Sequence, residues 1–93
     1  FPAEEKFGLI NQIRRASVSV TSNIAEGFGR KSSKDKVHFY LIAKTSLAEV
    51  QNQLIIARDL EYINKDKFGE IYTLTVVSDR LISGIMRSAT SHV

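Results

Sequence analysis

The sequence predicts an all-α chain folded as an up-and-down antiparallel bundle, and three observations predict it. The single proline stands at position 2 of 93 residues, so no proline ring interrupts a helix after its first turn. Apolar residues recur at steps of three and four through three long blocks, residues 3–27, 33–62 and 65–89. The breaks between blocks are short and carry Gly, Ser or Asn, which suits turns between antiparallel neighbours.

The first helix opens on Pro2, whose fixed φ suits a first turn, and on Glu4 and Glu5, whose charge opposes the positive end of the helix dipole. Leu9, Ile13, Ala16, Val20 and Ile24 form one stripe along it. Phe7, Ile10, Val18 and Ala25 form a second sector, so more than half of the circumference is apolar. Gly27 is expected to end this helix as a left-handed residue, and Gly29 to free the chain to turn. The second helix starts from a cap at Ser32 or Ser33. It carries Tyr40, Ala43, Leu47, Val50, Leu54 and Ala57 on a coiled-coil-like seam, with Val37, Leu41, Ala48 and Ile55 about a third of a turn away. After Ile63 and Asn64, the third helix repeats the seam with Ile71, Leu74, Ser78, Leu81, Ile85 and Ala89.

Leu9, Ile13, Leu47, Val50, Leu54, Leu74, Leu81 and Ile85 are the expected core. The doubled apolar faces ask for more neighbours than three helices supply. An uncovered remainder would exceed the roughly few hundred Å² of contiguous apolar surface that a soluble monomer tolerates. That remainder is expected to be covered by a further helix of the chain or by other subunits of a homo-oligomer.

Composition narrows the class. With 43% hydrophobic and 25% charged residues, the chain reads as one ordinary globular domain, residues 1–93, rather than a disordered segment. It has no cysteine, so it offers neither a disulfide framework nor a thiolate metal site, which suits a reducing cytoplasm. No apolar run approaches the ~18–20 residues of a membrane span, so no membrane partner is expected. The chain begins FPAEEKFG without an initiator Met, and a segment before Phe1 is expected to be missing.

The phrases FPAEE, QIRRASVS, NIAEGFGR and AKTSLAE occur in that order over roughly the first 60 residues. In this they closely resemble the bacterial four-helix-bundle family encoded in intervening sequences of 23S ribosomal RNA genes. More distantly the chain is similar to the accessory variability determinants of diversity-generating retroelements. Two departures stand out: Thr21 occupies a position where the family commonly has proline, and Thr45 one where it commonly has glycine. The resemblance implies an additional helix before the FP, so that this chain carries three helices of an up-and-down antiparallel four-helix bundle. It also implies a homopentamer and no established enzymatic activity.

Gln12, Arg15, Ser19, Asn23 and Glu26 follow one another at steps of three or four along the edge of the first stripe, with Ser46 and Glu49 of the second helix as candidate partners. Such a polar seam reads either as a network that fixes helix register or as a ligand site. The structural reading is the plainer, because fixing register is the best attested use of such groups. Asn23 and Glu26 are accordingly expected to be held by other helices. The loop RKSSKDK places Arg30, Lys31, Lys34 and Lys36 against Asp35, and an up-and-down chain returns Arg87 and His92 to the same end. Glu4, Glu5, Asp59, Glu61, Asp66 and Glu70 gather at the other, partly offset by Arg58, Lys65 and Lys67. A net charge of +3 and a pI near 9.4 are modest, but repetition around an oligomer would concentrate the basic end. Arg30, Lys31, Lys34, Lys36 and Arg87 are thus candidate contacts to RNA or DNA, set against the alternative of a solvated loop. Phe28 is the one aromatic among these charges and reads as a cap on the core, so stacking of nucleobases is not expected from the sequence.

GFGRKS lacks the preceding strand and the spacing of a phosphate-cradling loop. Asp35 and His38 form a lone Asp-x-x-His without a second set of metal ligands, and His38 falls on a polar face. With two histidines and no cysteine, no nucleophile, base and acid can be picked out. No catalytic, metal or cofactor-binding residue and no small-molecule substrate is expected.

Overall fold

The computed structural model describes residues 2–90, and its regular structure is all helix: α1 (Pro2–Gly29), α2 (Ser33–Asp59) and α3 (Lys65–Thr90), joined by short turns, with no strand among the described residues. Each boundary has a local cause. Ser32, in extended backbone (φ −87°, ψ 147°), caps α2 by accepting the Asp35 N–H at 3.1 Å, and Asn64 does the same for α3, accepting the Lys67 N–H at 2.7 Å. The expected end of α2 near Tyr62 is corrected to Asp59. Glu61 takes a left-handed φ of 60°, its N–H donates to the Arg58 carbonyl at 3.0 Å, and the Tyr62 N–H donates to the Ala57 carbonyl at 2.8 Å. That pair of bonds is a Schellman cap, built here without glycine.

Gly27 is the second correction. No glycine among the described residues has a positive φ, and α1 runs through Gly27 to Gly29. Its role is steric: a Cβ there would stand 2.5 Å from Cε1 and 2.8 Å from Cδ1 of Tyr40. The glycine lets the ring of α2 lie against the α1 backbone. What ends α1 is instead the turn Arg30 N–H to Gly27 carbonyl (3.2 Å) and the Lys36 ammonium, which donates to the carbonyls of Gly27 and Phe28 at 3.3 and 3.0 Å.

The helices form an antiparallel layer with α2 in the middle. α1 and α3 each pack on α2, and among the described residues their backbones do not approach each other. The extents, 50 × 22 × 13 Å, are those of a slab about one helix thick. Two clusters hold it. Near one end Val20, Tyr40, Ala43, Leu47 and Ile82 are buried, with Ile24, Ile85, Met86 and Ala89 against them. Nearer the other end Ala16, Val50 and Leu54 are buried beneath Ile13, Ile63, Phe68 and Ile71.

Leu47, Val50 and Leu54 are buried as expected, and Leu9, Ile13 and Ile85 are half-buried. Leu74 and Leu81 are not core residues: they are 65% and 64% exposed. Ile71, Ile85 and Ala89 of the expected seam do pack on the core, but α3 is turned so that Phe68, Thr75, Ile82 and Met86 join them in place of Leu74 and Leu81. Polar pairing accompanies that rotation. Gln51 donates to the Thr75 hydroxyl at 3.0 Å, and the Lys44 ammonium reaches the Asp79 carboxylate and the Ser83 hydroxyl, both at 2.8 Å. Leu74 and Leu81 turn away from α2 as a result. Leu74, Ile71, Thr75 and Ser78 face Ile13, Ser17 and Val20 across an open groove of about 210 Å³, with Leu47 and Val50 as its floor.

Candidate nucleic-acid interface

Antiparallel packing brings the end of α1, the start of α2 and the end of α3 together: Thr90 lines one hollow with Ser33, Lys34 and Val37. The five cations singled out in the sequence all lie at this end, but they differ in freedom. Lys31, Lys34 and Arg87 are exposed. Arg30 is also exposed, yet its guanidinium lies over the Phe39 ring, 4.7 Å from the centroid, and pairs loosely with Glu26 at 3.8 Å. Lys36 is half-buried and committed to the α1 carbonyls, which makes it a helix cap first and an anion contact second. His92 lies outside the described residues. His38 is exposed, its ring edge-on to Phe39 at 5.2 Å.

The opposite end is acidic but partly neutralised. Arg58 pairs with Asp59 at 3.1 Å and covers the Phe68 ring, and Lys67 pairs with Glu70 at 3.3 Å. The Tyr62 hydroxyl donates to Glu5 at 3.4 Å. Loss of hydration, then the charge and hydrogen bond of Glu5, hold this phenol above its ordinary range. The α1–α2 turn is therefore the more basic end, although Lys6, Arg14, Arg15, Lys65 and Arg80 are exposed along the rest of the layer.

The polar seam is shorter than its sequence pattern. Ser19 and buried Ser46 share a hydroxyl hydrogen bond of 2.8 Å across α1 and α2, and the Asn23 amide donates to the Ser19 carbonyl (2.8 Å) and hydroxyl (3.2 Å). Asn23 is thus held by its own helix and only indirectly by another, and Glu26 by Arg30 just beyond it. The expectation that other helices hold both is corrected to that extent. Gln12, Arg15 and Glu49 are exposed and stand apart from the Ser19–Ser46 bond. The five seam residues of α1 spread over only about 80° of the circumference at about 100° per residue, so they do share one edge of α1, but of them Ser19 is the one that bonds across to α2. The Lys44–Asp79–Ser83 and Gln51–Thr75 pairs were invisible to pattern reading, because each joins polar positions flanking two seams whose mutual rotation the sequence leaves open. Among the described residues no cluster of three or more His, Cys, Asp or Glu is placed to hold a metal ion. Among them, too, no helix is long and apolar enough to cross a membrane.

Three antiparallel helices with NIAEGFG closing the first, Gly27 seated on Tyr40, and a serine pair joining α1 to α2 give the quoted sequence phrases structural content. A family model described as 23S rRNA-intervening sequence protein matches residues 1–84 of the 93. The chain belongs to this family. Comparison with curated proteins gives no match. Within the family match lie all of α1 and α2, the basic turn and α3 as far as Gly84; Arg87 falls beyond it.

Proposed function

We propose that this member of the 23S rRNA-intervening sequence family is a non-enzymatic cytoplasmic oligomer that holds nucleic acid against its basic end. The observation that carries the reading is the gathering of exposed Arg30, Lys31, Lys34 and Arg87 at one end of the layer, countered locally by Asp35 and a Glu26 already shared with Arg30. One subunit presents few charges, so the reading depends on repetition: a cyclic assembly, the homopentamer that the family resemblance implies, would set several copies of the turn side by side. Lysines without fixed partners bind phosphate as point charges, a mode suited to the backbone of RNA or DNA rather than to a base edge.

Fluorescence anisotropy against mixed-sequence RNA and DNA at two salt concentrations tests it. Binding should weaken steeply as salt rises, and Lys31→Glu with Lys34→Glu should lower the slope of log K against log salt by about one for each phosphate no longer neutralised. Salt-independent binding, or none at low salt, refutes it.

A second reading, a protein-interaction module with no nucleic acid, is favoured by a separate observation. Phe7, Val18, Leu74, Val77 and Leu81 are between 46% and 66% exposed, more apolar surface than a lone slab normally shows water. Both readings need those faces covered by further helix or by other subunits. Light scattering at micromolar concentration is expected to give a multiple of the subunit mass; a single-subunit mass would refute the oligomer.

A further inference from the structure

We infer that the nucleic acid met by the basic end is single-stranded there, with an unpaired base stacked on Phe28. The inference rests on the nucleic-acid reading above and adds the class of strand. Phe28 is 64% exposed, although it sits in the last turn of α1 beside the core cluster. It is also held in place. Its ring meets buried Tyr40 edge-on, with centroids 6.1 Å apart and planes at 75°, and the Lys36 ammonium fixes the Phe28 carbonyl at 3.0 Å. Beside it lies an open hollow of about 280 Å³ walled by Phe28, Lys36, Tyr40, Ile85, Ser88 and Ala89. Phe39, also at this end, is half-buried and has Arg30 over one face, 4.7 Å from the ring centroid.

An exposed ring flanked by Arg30 and Lys31 supplies the two things that bind single strands: a surface for a base to stack on and cations for the adjoining phosphates. A duplex keeps its base faces stacked on one another and presents only phosphates to such a ring. The site therefore discriminates by strand state and not by sequence, since every base has a π-face.

The chain has no tryptophan, so Phe28→Trp introduces a single fluorescent reporter at the site. Its emission is expected to be quenched by an oligonucleotide single strand and left unchanged by a duplex of the same sequence. Phe28→Leu keeps apolar bulk but removes the π-face. It should weaken single-strand binding roughly 5- to 150-fold without altering the salt slope, while duplex binding stays within about twofold. Binding by anisotropy without quenching, or equal single-strand affinity for Phe28→Leu and the unaltered protein, overturns the stacking inference and leaves the phosphate reading intact. No binding of either strand form at low salt removes both.

Discussion

Ile82→Ala is expected to destabilise the chain by about 2–5 kcal/mol, while Leu81→Ala, one residue away, costs the isolated subunit less than about 0.5 kcal/mol. Ile82 is 2% exposed within the cluster of Val20, Tyr40, Ala43 and Leu47, so truncation opens a cavity under the α2–α3 contact that straight helices cannot close. Leu81 is 64% exposed and loses little that water does not already touch. For a domain of this size, each kcal/mol lowers Tm by about 4–8 °C, so Ile82→Ala should shift thermal unfolding by roughly ten degrees or more, easily resolved by circular dichroism. Equal costs at both positions would show that a further element covers Leu81. A cost at Leu81 alone would mean that α3 is rotated from the face described.

Gly27→Ala is expected to destabilise by about 1–3 kcal/mol despite a helix-propensity gain of roughly 1 kcal/mol. The new Cβ would sit 2.5 Å from Tyr40 Cε1, and that ring is buried, pinned between α1 and the core with the Phe28 ring in T-shaped contact. A rigid ring cannot withdraw as the tip of a flexible chain would, so the helices must part. Gly8→Ala is the control. Nothing lies within 4 Å of a Cβ there, so the same exchange should raise stability by about 0.4–1 kcal/mol. Urea denaturation of both variants decides the matter: a stabilised Gly27→Ala would mean that Tyr40 does not rest on the α1 backbone. Tyr40→Leu should absorb much of the penalty in a double-mutant cycle, since the clash is with ring carbons.

The sequence by itself determined three helices, their ends to within a few residues, and the α2 seam of Tyr40, Ala43, Leu47, Val50, Leu54 and Ala57, all of them buried. It could do so because helix period, caps and turns are local, and because α2 lies between two neighbours, so either choice of inner face covers most of its seam. The end-to-end separation of charge was legible for a similar reason: up-and-down connection alone decides which end a residue reaches. The face α3 turns inward was not legible. The apolar sector of α3 is broad, and which edge of it turns inward goes with Lys44 meeting Asp79 and Gln51 meeting Thr75, pairs 35 and 24 residues apart that no single-helix pattern contains. Only the tertiary structure showed that Gly27 is a seat for a ring instead of a stop, that Lys36 is spent on a helix end while Lys31 and Lys34 stay exposed, and that Phe28 stands out in water. Each is a matter of which groups another helix brings within a few ångströms, and that depends on the rotation of packed helices about their axes, which local sequence leaves undetermined.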